Sequence, residues 1–329
     1  MTALRHSAQS WPVTIDVVAK NQTGDRLERA YVAHRPALLS LSYRMLGSFV
    51  EAEDVVQEAF IRFKDTLIRG EQLTSERAYL TTVTTRLAID QLRSARTRRE
   101  RYVGPWLPEP AVEGLSDLAD AAVLSDSLST AFLVLLEQLT PEQRAVFLMR
   151  DVFGYEFDEI AKTIEKSPAA CRQLAVRARR AVRDGRRRQG AGPSERRRLA
   201  EAFFNAARQG DMDGLKKLLA DDARFVGDGG ASGRGVSRPV YGRDQVAMLV
   251  SGLVSRMAVA GITLELTRVG AEPAVLLLDP QDHLIGVWSL VFSEDASVQA
   301  VHGMVNPDKL GHLAVPLTTI TRAEWRGQH

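Results

Sequence analysis

Arginine placement is the first chemical signal in this chain. Arg93, Arg96, Arg98, Arg99 and Arg101 crowd one stretch, a second crowd runs through residues 177–188, and residues 109–137 between them are acidic and free of arginine. Guanidinium groups at that density neutralise phosphates, so two separated clusters suggest two places where a nucleic-acid backbone is held. A solvated helix face followed by a basic linker also fits either cluster taken alone. Just ahead of the second cluster, Arg172 and Gln173 are the residue types that match guanine and adenine edges in a major groove. Asp54, Gln57 and Glu58 form a different stripe. Their i, i+3, i+4 spacing puts them on one helix face opposite Val55, Val56 and Phe60, where charge can orient a partner; an ordinary solvated face has the same spacing. Finally, Asp228 lies in Gly227-Asp-Gly-Gly230, with Tyr241, Arg243, Trp288 and His302 farther along. An aspartate and a histidine sharing a pocket supply a base and an acid, whereas a glycine turn and a strand histidine need do no more than shape the fold.

The elements that position these residues follow from periodicity. Residues 1–24 lack it and are expected to be a disordered tail. From Asp25, Leu27, Tyr31, His34, Leu38, Leu41 and Met45 recur by threes and fours, and Gly47 can close that helix. Ser48 and Glu51 have capping-box spacing for a second helix burying Ala52, Val55, Val56, Ala59, Phe60 and Phe63. A third helix is expected over 75–99, with Leu80, Val83 and Leu87 inward, completing an all-helical domain over 25–102. Prolines 105, 108 and 110 forbid helix in the next stretch, so 103–114 reads as an extended linker. A second helical unit is expected over 115–188. In it Thr140-Pro141-Glu142-Gln143 starts one helix, Gly154 marks its far end, and helix 158–164, turn 165–167 and a helix opened by Pro168 make a helix-turn-helix. Its inward positions would be Ile160, Ile164, Cys171, Leu174 and Ala178. After a break at 190–194 comes a helix with Leu199, Phe203 and Phe204, then β-rich runs over 262–269, 274–278, 284–292 and 298–305. These predict a separate α+β domain over 194–312, with 313–329 a tail.

Composition narrows the class. A chain of 329 residues exceeds one ordinary core, so two or three units are expected. The net charge of +2 is too small to say anything about nucleic acid, which leaves the argument to the clusters. No apolar run approaches the roughly 18 residues of a membrane span, and no leader pattern opens the chain. Cys171 is the single cysteine, which excludes an intrachain disulfide and a cysteine-cluster metal site. These features predict a cytoplasmic protein with no membrane contact, and no cofactor, metal or catalytic residue is expected.

Two segments carry a resemblance. Tyr43-Arg-Met-Leu-Gly-Ser-Phe-Val-Glu-Ala-Glu-Asp-Val-Val-Gln-Glu-Ala-Phe60 with Tyr79-Leu-Thr-Thr-Val-Thr-Thr-Arg-Leu-Ala-Ile-Asp-Gln-Leu-Arg93 resembles the second conserved region of extracytoplasmic-function sigma factors. Leu139-Thr-Pro-Glu-Gln-Arg-Ala-Val-Phe-Leu148 and residues 158–174 resemble the fourth. The linker Trp106-Leu-Pro-Glu-Pro110, Gly227-Asp-Gly-Gly230 and Asn306-Pro-Asp-Lys-Leu310 look like the subgroup with a SnoaL-like C-terminal domain, a cone-shaped α+β fold; Ala231 stands where that subgroup usually has glycine.

The resemblance implies a promoter-specific initiation factor that binds core RNA polymerase through Asp54, Gln57 and Glu58. It implies that the −10 element meets Asp90, Gln91, Arg93, Arg96, Arg98 and Arg99, with a base captured by the loop over 66–75, and that the −35 element meets Arg172, Gln173, Arg177, Arg179 and Arg180. Regulation in cis would run through Trp106, Pro108, Asp228, Gly229, Gly230, Asn306, Pro307, Asp308, Lys309 and Leu310, with no separate anti-sigma factor required. Tyr241, Trp288 and His302 are left as a possible pocket for an unknown ligand. Two other readings explain less. A ligand-responsive helix-turn-helix regulator leaves the first domain unexplained, and a fused cyclase or isomerase leaves both arginine clusters unexplained.

Overall fold

The computed structural model describes residues 13–99, 102–115, 129–186, 192–230, 236 and 238–313, with side chains from residue 23 onward except over 95–99 and 184–186. The first helix, α1 (Val13–Leu46), starts inside the stretch expected to be a tail. Its chain from residue 13 onward holds no strong breaker before Pro36, and an internal glycine such as Gly24 costs a helix only about 1 kcal/mol. Gly47, at φ +70, ends it. Ser48 then caps α2 (Phe49–Ile68) by accepting from Glu51 N at 3.3 Å, and α3 (Glu76–Arg99) completes the first unit.

In the second unit, α4 (Thr130–Leu136) is followed by α5 (Pro141–Phe147), whose Thr140–Gln143 capping box forms in both directions. A π-helical turn, Leu148–Val152, widens the end of α5. Helix α6 (Phe157–Ile164), a left-handed Glu165 at φ 55, and α7 (Pro168–Arg186) form the helix-turn-helix over a small core of Val146, Met149, Ile160, Ala161, Cys171 and Ala175. The two helical units do not keep separate interiors. A single apolar cluster runs from Leu38, Met45 and Phe63 through Leu80 and Ile89 to Phe132, Leu136, Phe147 and Val182. This merging explains why Thr81, Thr84 and Thr85 of α3 are buried along with the inward Leu80, while the expected Val83 and Leu87 are only half-buried.

The α+β domain begins with α8 (Pro193–Gln209) and α9 (Met212–Leu218). Strands β1 (Leu219–Asp228) and β2 (Val240–Tyr241) come next, then α10 (Arg243–Val259) and strands β3 (Thr263–Val269), β4 (Glu272–Leu278), β5 (Leu284–Phe292) and β6 (Val298–Met304). The sheet order is β2-β1-β6-β5-β4-β3, with β1 parallel to β6 and all other pairs antiparallel. Strands β3 to β6 agree with the β-rich runs; β1 and β2 were not anticipated. The two adjacent aspartates, Asp221 and Asp222, hide the strand pattern of β1, which forms because β6 offers it a parallel partner. A short helix, α11 (Pro307–Leu310), and a 3-10 turn, Gly311–Leu313, close the described chain, and Leu313 is buried rather than part of a tail.

Strand alternation gives the sheet two buried faces. Phe225, Trp288, Leu290, Phe292 and Val301 point to α8, α9 and α10, where Phe203, Phe204 and Val250 fill the space. Leu276, Leu278, Val287 and Met304 point the other way and pack on Leu107, Val112 and Leu115 of the linker. Both faces of β4, β5 and β6 are therefore covered, which is why these strands read as nearly continuous apolar runs.

Candidate nucleic-acid interfaces and the interdomain seam

Helix α7 turns Cys171, Ala175, Ala178 and Val182 inward, which leaves Arg172, Gln173, Arg177 and Arg180 exposed along the opposite face. Of the five arginine-rich positions expected to meet DNA there, Arg179 is the exception. It is half-buried, and its Nε donates to Asp151 at 2.8 Å, so it ties α7 to the π-turn. The Arg172 guanidinium rests over the Phe157 ring at 5.8 Å.

Helix α3 is differently placed. Its Arg93 bridges Asp90 at 3.2 Å and Glu142 of α5 at 2.7 Å, and Arg86 donates to the Thr163 and Lys162 carbonyls at 2.7 and 3.0 Å, which cap the end of α6. Thr82 meets Thr163 at 3.2 Å, Thr81 meets Tyr155 at 3.0 Å, and Arg144 of α5 donates to Met45 O at 2.6 Å. Gln91 is half-buried and Asp90 exposed. Arg96, Arg98 and Arg99 lie on α3, but their side chains are outside the described residues. On α2, Asp54 and Gln57 are exposed as expected, and the half-buried Glu58 pairs with Arg62 at 2.7 Å. Exposed Ile61 continues their face, and Tyr31, Phe60 and Gln57 line a groove of about 680 Å³ between α1 and α2.

The linker is held from both sides. Asp228, fully buried at the end of β1, accepts from Tyr102 Oη at 2.6 Å, from Leu107 N at 2.8 Å and from Lys309 Nζ at 2.8 Å. Lys309 also donates to Leu107 O at 2.6 Å and lies over the Trp106 ring at 4.1 Å, and Asn306 donates to Tyr102 Oη at 2.8 Å. Gly230 is at φ 58 against the Asn306 amide and donates to Asp228 Oδ1 at 3.2 Å, so this loop needs glycine there. Asn306 caps α11 through Asp308 N, Pro307 and Asp308 stay exposed, and Leu310 is buried under the sheet. Burial beside Asp228 pushes the Tyr102 hydroxyl well above its usual range, so it acts as a neutral donor.

On its other side the linker grips α1 and α2. Glu109 N donates to Gly47 O at 2.9 Å, Phe49 N donates to the Glu109 carboxylate at 2.6 Å, and Tyr43 Oη donates to Glu109 O. An added Cβ at Gly47 would lie 2.9 Å from the Trp106 ring and 3.3 Å from Pro108. His312 stacks on Phe49 at 4.3 Å and meets Pro110 O at 3.2 Å, and burial lowers its pKa. Farther along, Glu113 pairs with Arg268, and the Ala131 N at the start of α4 donates to Glu272 of β4 at 3.1 Å. Glu272 is buried and its pKa is pushed up to about 7 by desolvation, against the opposing pull of the Ala131 N–H and the Ser129 hydroxyl. Oε2 of Glu272 has no hydrogen-bond partner.

The expected pocket does not assemble. Trp288 is buried on the helix-covered face against Phe225, and Tyr241 is 64% exposed on the edge strand. His302 points to the opposite face beside Ser289, with Nδ1 unpartnered and its pKa lowered to about 3 by burial and by Arg224. Arg243 pairs with Asp221 at the surface. Asp228 is saturated with donors and is a structural acceptor rather than a base. Sequence reasoning missed Tyr102, Glu109, Arg86, Glu142, Arg144, Glu272 and His312 as seam residues. An aromatic and a carboxylate within a proline run were a usable signal for Tyr102 and Glu109; the others carried none.

Two helical units, one with an outward basic helix face and the other packed against it, are joined by a linker that an α+β domain clasps, an arrangement that fits a transcription initiation factor of the sigma class. Residues 30–98 match the family described as Sigma-70 region 2, and residues 129–182 match Sigma-70, region 4. The chain is 37% identical to the ECF RNA polymerase sigma factor SigJ of Mycobacterium tuberculosis over 85% of this chain and 91% of that protein. It is 35% identical to the probable ECF RNA polymerase sigma factor SigI of the same species, over 89% and 98%. The crystal structure of SigJ superposes with a TM-score of 0.68 at 34% identity, covering 85% of this chain and 96% of that one. The chain belongs to the extracytoplasmic-function RNA polymerase sigma factors and acts in transcription initiation. Both alignments extend past the sigma regions into the α+β domain, and among the described residues no helix is long and apolar enough to cross a membrane.

Proposed function

We propose that this sigma factor is kept closed in cis by its α+β domain, without a separate anti-sigma protein, and that core RNA polymerase opens it. The observation that carries this reading is the packing of α3 against the helix-turn-helix while the linker is locked into both neighbours. Elements named −10 and −35 are centred about 25 base pairs apart, about 85 Å along a straight duplex. Helices α3 and α6 are in contact, so the two units must separate before both elements are engaged. In the open state Asp54, Gln57 and Glu58 dock on the polymerase. Arg93, released from Glu142, meets the −10 element with Asp90, Gln91, Arg96, Arg98 and Arg99. Arg172 and Gln173 read −35 base edges, and Arg177 and Arg180 hold phosphates. Tethering keeps the α+β domain at high effective concentration, so it recloses the chain once polymerase leaves.

Run-off transcription from a genomic promoter pool, comparing the full chain with a version stopped after residue 188, tests the reading. Altered output from the cognate promoter on removal of the domain supports it; equal rates sink it. Reversing Asp54 and Glu58 together tests the polymerase face by pull-down, with loss of holoenzyme at unchanged helicity expected.

A further inference from the structure

Among the described residues, Val176 is not part of the apolar packing that holds α7 in place. It is 62% exposed at the middle of the outward face of α7, one turn beyond Arg172 and Gln173 and flanked by exposed Arg177, Arg180 and Arg183. The buried side of the helix is completed by Cys171, Ala175, Ala178 and Val182 without it. Valine is also a poorer helix former than the arginines around it, so helix stability does not select it. An apolar side chain ringed by guanidinium groups gains contact only from a surface that is itself anionic and locally apolar. Double-stranded DNA meets that description in one place, the major groove, where the C5-methyl of thymine is the apolar feature of the base edges.

We infer that Val176 is a specificity-determining residue that packs on a thymine methyl in the upstream promoter element. This rests on α7 being the helix that enters the groove. Val176 lies four residues past Arg172, about 6 Å along the helix axis. With base pairs about 3.4 Å apart, the thymine lies roughly one or two pairs from the base that Arg172 reads. Arg179 does not compete for that position, because Asp151 draws it toward the π-turn.

The test is holoenzyme binding, with the full chain and core polymerase, to a selected promoter duplex in which upstream thymines are replaced one at a time by deoxyuridine. Deoxyuridine keeps every hydrogen-bonding group and lacks only the methyl. At one position the replacement should weaken wild-type binding by about fourfold, the worth of one methyl-sized apolar group. Val176→Ala should lose a similar factor on the thymine duplex and show no further loss with deoxyuridine at that position. Arg172→Ala serves as the control. If it changes base preference while Val176→Ala responds equally to thymine and deoxyuridine everywhere, the methyl contact is wrong and the recognition helix stands. If Arg172→Ala and Arg177→Ala both leave promoter binding unchanged, α7 is not the reading helix and both ideas fall.

Discussion

Helices α3 and α7 both carry arginines in successive turns, yet the closed chain treats them differently. Along α3, Arg86 and Arg93 are spent on the α6 carbonyls and Glu142, and Thr81, Thr84 and Thr85 just before them are buried. Along α7, Arg172, Gln173, Arg177 and Arg180 remain exposed, and Arg179 is paired with Asp151. A basic face is thus not equivalent to an available one. Between the two units, the linker is fixed by the Asp228–Lys309 pair on one side and by Gly47 and Phe49 on the other.

The strongest way to break the asymmetry is to remove the lysine of that pair. Lys309→Met leaves Asp228 buried without its countercharge, a loss of about 3–5 kcal/mol. Hydrogen exchange should then rise along α3 and stay unchanged along the outer face of α7; uniform protection of α3 would show that the linker is not what closes the chain.

A pH series sharpens the comparison at the seam. Glu272, at about 7, has a pKa above the ordinary carboxylate value, so its protonated form favours the closed, folded state and its contribution falls as pH rises from about 4.5 to 7. His302, at about 3, is held neutral, so its contribution rises with pH from about 3 to 6.5. The two slopes oppose each other over about 4.5 to 6.5, and stability is expected to be nearly flat there. Glu272→Gln removes one slope, worth about 3 kcal/mol across its window, and leaves stability climbing with pH. A urea midpoint that moves down between pH 5 and 6.5 in this variant would contradict that sign.

Gly47→Ala is the next largest perturbation. A left-handed alanine costs about 1–2 kcal/mol, and its Cβ meets Trp106 at 2.9 Å. The expected result is a lower thermal midpoint with the linker loosened from α1 more than from Asp228. The smallest effect belongs to Arg93→Ala. Arg93 and Asp90 are exposed and Glu142 is half-buried, so closure should weaken by only about 1 kcal/mol, whereas binding to −10 DNA should lose a salt-dependent contact. If α3 instead opens fully, Arg93 is the lock and the linker is secondary.

Much of this molecule was legible from sequence because the deciding physics is local. The capping box at Thr140, the left-handed turn at Gly47, the helix opened by Pro168 and strands β3 to β6 all depend on residues a few positions apart, and the structure has them. The exposed face of α7 was legible for the same reason, since helical spacing alone aligns Arg172, Gln173, Arg177 and Arg180, although the same reading placed Arg179 there too, and the structure ties that residue to Asp151. Contacts across the fold were not. Strand β1 forms because β6 lies beside it, 70 or more residues later, and the burial of Thr81, Thr84 and Thr85 depends on a second unit that no periodicity in α3 reveals. Asp228 and His302 look alike in sequence as polar residues in a β-rich domain. Only the tertiary structure shows one saturated by Tyr102, Leu107 and Lys309 and the other sealed with an unpartnered nitrogen, because a polar group's role is set by what long-range packing places around it.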